Sequence, residues 1–167
     1  AKDGVSLVGA GEDQTVIRGG VVGLRTGATL SYLTITGGVL VGPGEAPTIS
    51  SCTIAGNGGS GVSCGAHSSP TLESCTIVGN QRGGVSCGEG SAPTLEGCTI
   101  SGNRGTGVVC AARSSPTLDG CTIAENSWGG VICETESSPT LRDCRISGNL
   151  GDDDPWDSTG DDSGGDL

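Results

Sequence analysis

The chain has 167 residues, with 33 glycines, no Phe, no Met, one Tyr and two Trp, and a net charge of -11. That length suits one domain, and the shortage of large aromatics leaves Val, Ile, Leu and Cys to fill a narrow core. The acidity leaves nothing to attract a polyanion, which argues against nucleic-acid binding, and no apolar run approaches the roughly 18 residues of a membrane span.

Residue 1 opens almost directly onto a strand-like run, and no leader peptide is visible, so the expectation is a mature or trimmed chain. Val5 to Val8 and Thr15 to Ile17 read as a degenerate first turn of a repeat. Thr29 to Thr36 matches Thr48 to Ala55, with a shortened loop after it. Leu33 stands where later copies carry one cysteine, and Val41 where they carry another.

From Pro47 onward the repeat is strict. Pro47, Pro70, Pro93, Pro116 and Pro139 are 23 residues apart. The same step links Cys52, Cys75, Cys98, Cys121 and Cys144, and again Cys64, Cys87, Cys110 and Cys133. Asn57, Asn80, Asn103, Asn126 and Asn149 keep it too. A fixed period of this kind means one structural unit stacked on copies of itself.

Each unit offers three short runs of period two. In one copy, Val62 and Cys64 share a side, Leu72 faces away from Thr71 and Glu73, and Cys75 pairs with Ile77. Alternation over so few residues predicts half-buried strands, with corners at Ser74, at 79–83 and at 65–69. No helical stripe is present. The fold class expected is all-β, a parallel β-helix of 23-residue rungs with three strands each, over residues 1–149. Residues 150–167 form an acidic Gly/Asp-rich tail or C-terminal cap.

The repeat Asn-x-x-x-Gly-Val-x-Cys followed by Pro-Thr-Leu-x-x-Cys-Thr-Ile, with the run from Gly4 to Ile17 before it, resembles the right-handed parallel β-helix repeats of the pectate-lyase superfamily. The resemblance covers nearly all of residues 4–149. It implies a right-handed coil, on a fold that hosts lyases, hydrolases, adhesins and inert spacers. Enzymes of that family place acids and an Arg or Lys base along one strand face. The outward residues of the Gly-Val-x-Cys run are Ser63, Ser86, Val109 and Ile132, and none does acid–base work.

Several columns carry candidate chemistry. The two cysteine columns point inward, either as disulfides such as Cys52 with Cys64 or as free thiols acting as small hydrophobes. Leu33 and Val41 in the same columns favour free thiols, although both columns losing Cys in one rung suits pairing. Nine is odd, which would leave one thiol over, with Cys144 the candidate. Zinc is disfavoured by a single His and no close Cys-x-x-Cys pair.

Glu73, Glu96 and Asp119 form a carboxylate column at about 5 Å spacing, near that of retaining glycosidases. A solvated acidic face is the preferred reading, with calcium bridging the alternative and no other cofactor expected. Thr48, Thr71, Thr94, Thr117 and Thr140 make one threonine column. Thr53, Thr76, Thr99 and Thr122 make a second, flanked by small residues, and it resembles the flat faces of ice-binding solenoids. The Asn column reads as a structural amide ladder. His67 reads as a surface loop residue. The Asp-rich stretch from Asp152 reads as solvated tail or linker, with calcium binding the minority reading, and Trp156 as a residue that folds back on the last rung.

The expectation is a non-catalytic structural or binding solenoid that associates end to end. Its partners would be other copies of itself or an extracellular polymer, and an extracellular or cell-surface location is favoured. The rivals are a lyase or hydrolase acting on polysaccharide through the carboxylate column, and an ice-binding face.

Overall fold

The computed structural model describes residues 5–150. The alternating runs become 20 short strands, and among the described residues there is no helix. The first rung holds β1 (Ser6–Val8), β2 (Val16–Ile17) and β3 (Val21–Leu24). The second holds β4 (Thr29–Ser31), β5 (Thr34–Ile35) and β6 (Val39–Val41). The third holds β7 (Thr48–Ser50), β8 (Thr53–Ala55) and β9 (Val62–Cys64). The fourth holds β10 (Thr71–Glu73), β11 (Thr76–Val78) and β12 (Val85–Cys87). The fifth holds β13 (Thr94–Glu96), β14 (Thr99–Ser101) and β15 (Val108–Cys110). The sixth holds β16 (Thr117–Asp119), β17 (Thr122–Ala124) and β18 (Val131–Cys133). β19 (Thr140–Arg142) and β20 (Arg145–Ser147) begin a seventh.

Like strands of successive rungs pair in parallel, which makes three sheets of seven, seven and six strands. Register follows the repeat: Leu72 faces Leu95, Ile77 faces Ile100 and Cys87 faces Cys110. Earlier rungs hold register in the first two sheets despite shorter spacing, with Thr29 opposite Thr48 and Val16 opposite Thr34, while β3 shifts by one residue against β6 between Val22 and Leu24. The corners absorb the missing residues, because a strand slipped by one position would turn its apolar side chains outward.

The corner between the first two sheets is a single left-handed residue. Tyr32, Ser51, Ser74, Gly97, Gly120 and Asp143 hold it, with φ between 47° and 59°. This kink turns the next residue, Cys75 in one copy, into the interior.

Inside the coil, Val62, Leu72, Ile77 and their interior copies are fully buried. The cross-section is too narrow for aromatics, and each rung contributes branched side chains worth about 1.5–3 kcal/mol apiece when fully buried. The last rung departs from the inward expectation. Cys133 is exposed and Cys144 only partly covered, because among the described residues no further strand stacks on β18, β19 or β20.

Interior and terminal rungs should differ in sensitivity. Ile100 has rungs on both sides and Ile146 on one. Ile100→Ala should cost about 2–5 kcal/mol by denaturant unfolding, and Ile146→Ala clearly less. Equal costs would contradict the stacked core.

Candidate functional site

The Asn column is the most ordered polar feature. From the third rung onward the amide turns inward at the corner after the second sheet. The Oδ1 of Asn80 accepts from the backbone N–H of Asn57 at 3.1 Å and from its Nδ2 at 2.6 Å. Asn80 donates through Nδ2 to Asn103 Oδ1 at 2.8 Å and to Ile54 O at 3.3 Å. Asn103 and Asn126 repeat the pattern up to Asn149. A buried primary amide needs this many partners, since an orphaned polar group costs about 1–3 kcal/mol.

The neighbouring corner must be glycine. A Cβ on Gly84 would lie 2.3 Å from Ile100 Cγ2 and 2.7 Å from Gly107 O. The ladder ends at Asn57, whose Oδ1 is buried and unpartnered. The second rung crosses this corner with Thr36-Gly37-Gly38 alone, too short to present another amide.

All nine cysteines are free. Sulfur neighbours run along each column and not across the rung: Cys98 meets Cys75 and Cys121, and Cys110 meets Cys87 and Cys133. Thiols of the first column also donate to carbonyls one rung back, as Cys75 Sγ does to Ile49 O at 3.4 Å and Cys121 Sγ to Leu95 O at 3.4 Å. Burial pushes the Cys64 thiol up to about 12. Cys98 also stands at about 12: the hydrogen bond with Cys121 lowers it, and Cys75 and burial outweigh that. Contact with Cys87 raises Cys110, and contact with Cys98 raises Cys121, with burial adding in both. Burial, then the Cys110 thiol, raises Cys133 to about 11. These groups are protonated at neutral pH, which suppresses their nucleophilicity because the thiolate is the nucleophile.

The other columns lie on the outside. Glu73, Glu96 and Asp119 stand in register on the outer face of the first sheet, between Ser50 and Arg142. All three are exposed on a flat strand face. Among the described residues, no group of three His, Cys, Asp or Glu is placed to hold a metal ion.

Thr53, Thr76, Thr99 and Thr122 are aligned and half-buried on the second sheet. Arg145 interrupts the row at one end. Near the other end Glu12 crosses it, taking hydrogen bonds from Thr34 Oγ1 at 2.8 Å through its carbonyl and from Thr53 Oγ1 through its carboxylate. His67 is exposed at a corner beside Gly90. The readings of the Asp-rich tail, its calcium and Trp156 lie outside the described residues.

Just after each Asn come three corner residues that do not repeat: Gly58-Gly59-Ser60, Gln81-Arg82-Gly83, Arg104-Gly105-Thr106 and Ser127-Trp128-Gly129, with Gln81, Arg82, Arg104, Ser127 and Trp128 exposed among them. Stacked, they bring Trp128, Arg104, Arg82 and Gln81 around an open depression of about 400 Å³ that also touches Ser86 and Val109. Trp128 is 70% exposed. The ion pairs among the described residues are Arg25 with Glu45 and Arg113 with Glu89, so Arg82 and Arg104 take part in neither. The signal in the sequence was the break from repetition, and not the repetition itself.

Two measurements check the ladders. Asn103→Ala should destabilise the chain by about 2–4 kcal/mol, because it removes the acceptor of the Asn80 N–H and of Asn80 Nδ2, and one of the two donors to the Asn126 amide oxygen. For the thiols, native pKa values above the unfolded value of about 8.5 mean that the folded state holds their protons more tightly. Their stabilising contribution is full below about pH 8.5 and is lost as pH rises toward the native values. The thermal midpoint should therefore fall through that alkaline range. Alkylation of the native chain, mapped by mass spectrometry, should reach Cys133 first, Cys144 next and the rest only on unfolding.

Neither a curated protein nor a solved structure matches this chain. A family model described as right handed beta helix region matches residues 19–153. That match spans most of the sequence and agrees with three parallel sheets in 23-residue register. The chain belongs to the right-handed β-helix family.

Proposed function

We propose that this protein is a non-catalytic solenoid that stacks end to end with other copies of itself. The observation that carries the proposal is the state of the two ends. In the first rung, Leu7 occupies the inward column of Leu30 and Ile49, yet it is 44% exposed. Val5, Val8, Val16 and Val22 are exposed around it. At the other end, Leu141 and Cys144 are only partly covered and Cys133 is exposed. Among the described residues no strand stacks below β1, β2 and β3, and none stacks above β18, β19 and β20. Unpaired parallel edges are templates for another chain, and a second copy in the same register would continue all three sheets.

A non-catalytic role is supported by the setting of the acids. Glu73, Glu96 and Asp119 project from a flat face into solvent, where like charges along a row repel and are screened. General acid catalysis would need one of them in an apolar or enclosed site.

Sedimentation velocity over a wide concentration range, with negative-stain microscopy, tests the stacking. The expected outcome is concentration-dependent linear assemblies. Leu7→Lys, which sets a charge beneath the first rung, should abolish them while leaving the β-rich fold intact. A compact monomer at every concentration would end the stacking proposal. Turnover of any polysaccharide that disappears on Glu96→Gln would replace it with the enzymatic reading.

A further inference from the structure

We infer that the corner formed by Trp128, Arg104 and Arg82 is a docking site for an aspartate-rich segment, and that its occupant is this chain's own Asp152-Asp153-Asp154. This concerns a side of the coil and is independent of stacking at its ends.

Three observations support the assignment. The first is charge: Arg82 and Arg104 are exposed and outside the ion pairs of the described residues, while residues 151–167 carry seven Asp and no Lys or Arg. The second is origin. The Leu150 N–H donates to Asn126 O at 2.9 Å, so the chain passes residue 150 at the head of this same corner stack. By the repeat, Leu150 is in register with Ser127 and Arg104, and Trp128 with Gly105 and Arg82.

The third is reach. Rungs are about 4.8 Å apart, so Arg104 lies about 10 Å and Arg82 about 15 Å down the stack from that point. Extended chain covers about 3.3–3.6 Å per residue, so residues 151–154 span about 14 Å. The three aspartates would therefore run down over Trp128 and meet both guanidiniums, which suit carboxylates through their forked donors. Contacts of this exposed kind are modest and salt-sensitive, so high salt should weaken the docking.

The test uses the full chain carrying Trp156→Phe, so that Trp128 is the sole indole, and reads acrylamide quenching of its fluorescence. The expected result is shielding at low ionic strength. Quenching should rise about two-fold in high salt, in Asp152→Asn/Asp153→Asn/Asp154→Asn, and in Arg82→Gln/Arg104→Gln, because exposed ion pairs hold the segment. Combining the two sets of substitutions should add nothing further. Identical quenching in every case would overturn the inference. So would shielding that fades on dilution, which would mean the tail of a second copy. An effect of the Asp variants without one of the Arg variants would also overturn it, since the segment would then lie elsewhere, for instance continuing the coil over β18.

Discussion

The step from a residue to its counterpart 23 positions on is the contact on which everything else in this molecule depends. Each rung is too short to bury its own apolar face, and no strand has a partner within its own rung. All stabilisation therefore passes between neighbours: backbone bonds such as Thr94 N–H to Pro70 O at 2.9 Å, amide to amide along the Asn column, and Leu on Leu or Ile on Ile inside. Such a molecule is close to one-dimensional, and its stability is a sum over adjacent pairs of rungs.

This dependence explains the composition. A corner that packs against the next rung cannot carry a side chain at Gly84, where Ile100 already occupies the space. A narrow interior stacked at constant register accepts small side chains, and the buried thiols share one core with the leucines and isoleucines. The cysteines then behave as packing groups whose ionisation is suppressed by burial and by one another. Where stacking stops, the same residue type changes character: Cys110 is buried and Cys133, one rung later, is exposed.

Repetition also constrains where recognition can arise. Identical residues in register make uniform stripes, such as the acidic row through Glu96 or the threonine row through Thr99. A stripe of like groups has no centre and encloses nothing. The corner after each Asn escapes this, because the buried amide anchors the turn and leaves the two following residues free to differ. Trp128 and the two arginines sit there, drawn from three different rungs.

The sequence alone was enough for the coil, its register and the inward assignment of Leu72, Ile77, Val85 and the cysteines from Cys52 to Cys121. The reason is that period two within a strand and period 23 between strands are both linear properties of the chain. The amide ladder was also legible, because a polar residue repeated at one position inside a solenoid must find its partner in its own copies. Three things were decided only by tertiary structure. The orphaned Asn57 oxygen follows from a short corner in the rung beneath it. The exposure of Cys133 follows from the absence of a described rung above it. The meeting of Trp128 with Arg82, 46 residues earlier in the chain, follows from two full turns of the coil. Each depends on what lies one or two rungs away in space, where a residue's surroundings are set by stacking and not by its neighbours along the chain.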